Sequence, residues 1–258
     1  MDMTSSNTVK TLAFCFSTPA IKSRVHFFPS AGVASGPYSI ACMLTLFGKG
    51  IERRSVMLDG GRLGQPDGVR LEDAFPSLRG EASGLFGLEI QLSCSQGRVN
   101  LLASQASLEL VSPQFSALYS AASFRRLEVD ERAPTSSNEA ERDAGTPPEA
   151  LGIAVQESEA VSSLIMVNGG SESLKPELFR VVAGREVPVH LGTLAPESSI
   201  EVPLDEALFR ETAPHECLFG LLRAERLCLG DRSRHKDTEY YLVYRNPETK
   251  RPLSVVAL

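Results

Sequence analysis

The chain has 258 residues, 42% hydrophobic and 22% charged, with a formal net charge of −6. That composition fits a globular protein with room for two domains of about 110 residues. The acidic balance excludes a nucleic-acid footprint, and no apolar run approaches the roughly 18 residues of a membrane-spanning helix.

Residues 1–9 are polar and read as a frayed end. The apolar stretch 11–16 follows one lysine, Lys10, which gives it a faint likeness to an export signal. It is short, with a single preceding charge, so a first β-strand and a cytoplasmic location are the expectation. Segment 24–28 reads as a second strand. The Gly-, Ser- and Pro-rich stretch 29–37 reads as a loop. Segments 38–47 and 51–58 form a hairpin around Gly48-Lys49-Gly50. Segment 69–78 is ambiguous, and Pro76 limits any helix there to a turn. Segments 84–94 and 98–111 are strands around a turn at Ser95-Gln96-Gly97. Leu108 and Leu110 alternate with Ser107 and Glu109, the period of a sheet with one wet face. Segment 115–124 closes this unit.

Residues 128–150 change character. They hold two basic and seven acidic residues, with Pro and Ser and almost no large apolar side chains. Such a segment cannot bury enough surface to offset its ordering entropy, so it reads as a flexible linker. By contrast, residues 1–127 hold 12 basic against 9 acidic residues, and residues 151–258 hold 12 against 16.

The remainder repeats the first part. Leu85-Phe86-Gly87-Leu88 returns as Leu218-Phe219-Gly220-Leu221, and Leu71-Glu72-Asp73-Ala74 as Leu204-Asp205-Glu206-Ala207, both 133 residues on. Segments 151–155 and 161–167 are strands, with a turn at Asn168-Gly169-Gly170. Segments 178–183 and 187–194 reproduce the hairpin around Gly184. Segment 200–209 matches the ambiguous segment, 217–229 the Leu-Phe-Gly strand and 238–244 the alternating strand, and 252–258 closes the unit. Phe86 and Phe219 are expected core anchors. Gly87 and Gly220 mark a bulge or a close backbone approach.

The expected fold class is therefore all-β: two tandem antiparallel β-sandwich domains, 10–127 and 151–258, arising from internal duplication and joined by the flexible acidic linker 128–150. In its pattern of short strands and turns the chain resembles immunoglobulin-like sandwiches generically. It contains no Trp, so the Cys…Trp…Cys pin of antibody-type domains is missing.

The five cysteines, Cys15, Cys42, Cys94, Cys217 and Cys228, have no CxxC spacing, and most sit in apolar runs. They read as free thiols in a reducing compartment. His26, His190, His215 and His235 have no zinc spacing, even at Pro214-His215-Glu216-Cys217, so no metal is expected. The paired acids Glu72/Asp73 and Asp205/Glu206 suit the first turn of a short helix better than an acid–base pair. No nucleophile elbow, P-loop or dinucleotide fingerprint occurs, so no cofactor or catalytic residue is assigned.

Two features remain as partner-binding candidates. One is the basic run Arg223, Arg226, Arg232, Arg234 and Lys236. It is suited to an acidic partner, and equally to a solvated hairpin tip. The other is the tyrosine strand that follows, with Tyr240 and Tyr244 on one face and Tyr241 on the other. Core packing explains those tyrosines equally well. The leading reading is a non-enzymatic protein that binds another protein or assembles with itself. The alternatives are a small-ligand or carbohydrate-binding module, disfavoured by the lack of Trp, and an enzyme with an interdomain site.

Overall fold

The computed structural model describes residues 8–29, 40–58, 63, 65–79, 84–94, 104–113, 115–121, 125–126, 150–151, 161–182, 185–190, 192–204, 225–229, 237–249 and 251–257. The protein is all-β. In chain order the first half gives β1 (Thr8–Ser17), β2 (Lys22–Pro29), β3 (Ile40–Gly48), β4 (Ile51–Leu58) and β5 (Val69–Arg70). A one-turn helix α1 (Leu71–Ala74) and a 3-10 turn (Pro76–Arg79) follow, then β6 (Gly84–Cys94), β7 (Ser104–Ser112), β8 (Phe115–Ser120) and β9 (Arg125–Arg126). The second half gives β10 (Ala150–Leu151), β11 (Val161–Asn168), β12 (Glu177–Val182), β13 (Arg185–His190), β14 (Ser198–Leu204), β15 (Glu225–Leu229), β16 (Thr238–Arg245) and β17 (Pro252–Ala257).

These strands form four sheets, with every ladder antiparallel. The first half contributes β4-β3-β6-β1-β9 and β5-β2-β7-β8. The second contributes β13-β12-β15-β10 and β14-β11-β16-β17. Counted from the start of each half, the strand orders coincide. β1 to β8 occupy the sheet positions that β10 to β17 occupy, and β9 alone is extra. The residues 128–149, the second Leu-Phe-Gly-Leu at 218–221, the acids Asp205 and Glu206, and the Gly184 turn lie outside the described residues.

Local chemistry explains the elements. The β3–β4 hairpin turns at Gly50, whose φ of +81° suits a residue without Cβ. Helix α1 keeps Glu72 and Asp73 in its first turn, near the positive end of the backbone dipole, and Pro76 follows its C-cap residue Phe75. Strand β2 alternates: Ser23 and Val25 are buried, while Lys22, Arg24 and His26 stand on the wetter face. Strand β6 joins β1, along Gly84–Ser93, to β3, along Gly87–Cys94. One face of that five-stranded sheet, with Cys15, Cys42, Leu44, Leu46, Leu88 and Ile90, packs into the first half's own core.

Gly87 has a different role. It lies opposite Phe14 of β1 and Phe47 of β3. A Cβ there would stand 2.2 Å from the Phe47 ring, so the absence of a side chain seats that ring on the strand. The close approach expected from the sequence is thus an aromatic ring over backbone. Phe86 beside it is 2% exposed.

Candidate functional site

Two surfaces organise the molecule: the junction between the halves and a polar face on the first half. The junction is centred on β1. That strand ladders with β6 throughout, but on its other side only Val9 and Lys10 meet β9. Farther along that edge, hydroxyl groups reach the carbonyls of Leu12, Phe14 and Phe16 and the amide of Phe16. Tyr241 of β16 donates to the carbonyl of Leu12, and Tyr119 of β8 donates to the carbonyl of Phe14. Ser23 Oγ accepts from the Phe16 amide and donates to the Phe16 carbonyl, both at 2.9 Å. A strand edge with unpaired backbone is costly to bury and sticky when exposed. Here side chains from three other strands close it.

The rings carrying two of those hydroxyls form an aromatic cluster. Phe14 stacks on Tyr119 at 4.7 Å between centroids, and Tyr241 meets Phe14 edge-on at 5.1 Å and Tyr119 at 5.6 Å. All three rings are buried, and burial holds the Tyr119 phenol well above its ordinary pKa. Ile165, Val167 and Val243 of the second half belong to the same apolar cluster as Leu12, Phe14 and Phe47. Gly169 is pressed against Leu12 and the Phe47 ring. Ser199 Oγ donates to the Leu85 carbonyl at 3.3 Å. Arg245, held by Glu201 at 2.8 and 3.0 Å, lies over the Phe16 ring at 5.1 Å.

An ionic chain runs along the same junction. Glu89, with a side chain 9% exposed, lies between Lys10 at 3.9 Å and Arg53 at 3.5 Å. Each cation also reaches a carboxylate of the second half: Lys10 to Asp237 at 2.6 Å and Arg53 to Glu197 at 2.6 Å. Glu197 has φ +46°, a left-handed conformation that a glutamate adopts at some cost. Its turn is held by Asn168, which is fully buried and donates to the carbonyls of Glu172 and Ala195.

The polar face is the outer side of the sheet β5-β2-β7-β8. Register places Arg70, Arg24, Glu109 and Leu118 in one row across its four strands. His26 Nε2 lies 3.0 Å from Glu109 Oε2, and Arg24 Nη1 lies 3.7 Å from the same oxygen. The His26 ring is seated against Gly68, whose φ is +67°; a Cβ there would come within 2.7 Å of the ring. Lys22 pairs with Glu72 at one end of the face. Leu118 at the other is 59% exposed.

The residues singled out in the sequence are distributed as follows. Arg223, Arg232, Arg234 and Lys236 lie outside the described residues. Arg226 is in β15, opposite Val181. Tyr240 is in β16 and 4% exposed, and Tyr244 in the same strand is half-buried. Sequence reasoning missed both surfaces described above. The alternation of Lys22, Arg24 and His26 in β2 was a readable signal for the polar face. Among the described residues no group of three or more His, Cys, Asp or Glu is arranged to hold a metal ion, and no helix is long and apolar enough to cross a membrane. Comparison with protein-family models, with curated proteins and with solved structures returned no match.

Proposed function

We propose that the chain is a non-enzymatic scaffold that binds another protein, built from a β-sandwich duplicated within one chain. The observation that carries this reading is the coincidence of strand order between the halves, joined through one aromatic junction. Together with the two sequence echoes 133 residues apart, it supports internal duplication, with residues 128–150 as the connecting linker. The strand order of the sandwiches differs from that of immunoglobulin domains, which pair B with E and C with F; counted along the chain, β2 here pairs with β7 and β3 with β6. Here β1 ladders with β6, whereas an immunoglobulin A strand lies beside its B strand. Two binding modules held at a fixed spacing suit simultaneous contact with a partner.

The junction is filled by Phe14, Tyr119 and Tyr241. An enzyme with its site between the halves would need a polar cleft where those rings pack. The buried free thiols of Cys15 and Cys42 fit a reducing, cytoplasmic setting. Light scattering on the purified chain, combined with affinity capture from its native host, tests the reading. A stable complex with a second protein, or with further copies of itself, is expected. A strict monomer that captures nothing would sink it.

A further inference from the structure

The two halves use one sheet in two ways, and the comparison identifies a second docking face. Val25–Leu108 and Leu164–Leu242 are buried cross-strand pairs in the two central strands of equivalent sheets. With these pairs aligned, Arg24–Glu109 and His26–Ser107 of the first half stand where Ser163–Val243 and Ile165–Tyr241 stand in the second. In the second half that face is apolar, and it is the face that packs on Leu12, Phe14 and Phe47. In the first half the same face is polar: Arg70 and Leu118 at its two ends are exposed, while Arg24, Glu109 and His26 between them keep part of their side chains in solvent, and Gly68 lies against the His26 ring. The sheet position is kept while the chemistry changes from apolar to polar.

We infer that the outer face of β5-β2-β7-β8 docks an acidic, extended segment of a partner protein. Three observations set the chemistry. Arg24 and Arg70 are direct cross-strand partners, a placement that like charges disfavour unless an anion is supplied. Arg24 shares Glu109, its one carboxylate among the described residues, with His26. Arg70 is exposed and has no acidic group within ion-pair distance among the described residues. The face belongs to residues 1–127, which carry an excess of basic residues in a chain of net charge −6.

The row geometry sets the spacing. Strands lie about 4.8 Å apart, so Leu118 stands about 10 Å from Arg24 and about 14 Å from Arg70. An extended segment advances about 3.4 Å per residue. The occupant therefore carries glutamate or aspartate for the arginine pair and an apolar side chain for Leu118 three to four residues away. Arginine recognises such carboxylates through a planar, bidentate fork.

This inference rests on the protein-binding reading and names the partner's chemistry within it. The test uses the full chain and a fluorescein-labelled decapeptide with paired glutamates and a leucine four residues beyond them. Saturable binding is expected in fluorescence anisotropy, weakened at least about ten-fold by Arg70→Glu. A peptide with lysines for glutamates should not bind. Arg70 is exposed, so circular dichroism should show the variant folded; Arg24→Gln gives a second, milder variant. Absence of saturable binding, or equal affinity for wild type and both variants, overturns the proposal. So does complete displacement of the peptide by equimolar inorganic phosphate, which identifies a simple anion site. If charge reversal leaves capture of a host partner unchanged, this face is not the docking surface, although the scaffold reading stands.

Discussion

The phenol of Tyr241 donates to the carbonyl of Leu12 across 229 residues of sequence. This one bond ties the second-last strand of the chain to its first. Removing only the hydroxyl, with Tyr241→Phe, leaves the buried Leu12 carbonyl with only the long contact from Thr11 Oγ1 at 3.5 Å and should cost about 1–2 kcal/mol in urea unfolding. Tyr241→Ala also removes the ring that meets Phe14 and Tyr119 edge-on and should cost about 3–5 kcal/mol. If Tyr241→Phe is neutral, the hydroxyl is not what closes the β1 edge.

Gly87 should resist substitution for a reason that can be isolated. Gly87→Ala drives a methyl group into the Phe47 ring and should destabilise by about 1–3 kcal/mol. The cost should shrink when Phe47 is first replaced by alanine. A double-mutant cycle measures that coupling. Additive effects would mean that the ring does not set the glycine requirement.

The ionic chain through Glu89 predicts a modest, salt-sensitive contribution. Lys10 sits between Glu89 and Asp237 with its side chain 21% exposed. Lys10→Met should cost about 1 kcal/mol at low ionic strength and less at 1 M salt, where charges screen within about 3 Å. Arg53→Met should cost less, because Arg53 and Glu197 are more exposed, at 35% and 41%. Denaturation at two salt concentrations separates this from packing losses, which salt does not weaken in the same way.

Buried protons make the fold sensitive to base. Burial pushes the Cys42 thiol up to about 12, raises the Cys15 thiol further, and raises the Tyr119 phenol. These groups keep their protons when folded and release them more readily when unfolded. Their contribution is therefore complete below the ordinary thiol value of 9.0. It falls as pH rises past that value, and further past the ordinary phenol value of 10.0. Stability measured from pH 8 to 11 should decline over this window, and Cys15→Ala should flatten part of the slope. Both thiols should resist alkylation at pH 8 until the protein is unfolded. Rapid labelling of either in the native state would contradict their burial.

The sequence carried the β class, the hairpin at Gly50, the short helix before Pro76 and the special position of Gly87. These rest on local chemistry: alternation, positive φ and a missing Cβ. The junction was not readable in the same way. Tyr240, Tyr241, Leu242 and Val243 are all buried, so β16 has no wet face and no alternation to mark which side meets the first half. The partner of Tyr241 is a backbone carbonyl, which leaves no trace in residue identity. Arg70 and Arg24 become neighbours only through the β2–β5 ladder. That ladder spans a loop and a hairpin that sequence spacing cannot fold.

Coincident strand order within one chain also creates a hazard during folding. β6 and β15 take the same place in equivalent sheets, so each is a candidate mate for the other half's β1 or β10, and swapped pairings are a characteristic failure of chains with like-ordered sheets. The two versions of the outer face act against this error. A half bearing Arg24 and Glu109 cannot take the seat over Phe14 without burying charge, whereas one bearing Val243 and Tyr241 can. The difference at those few positions gives each half its own address.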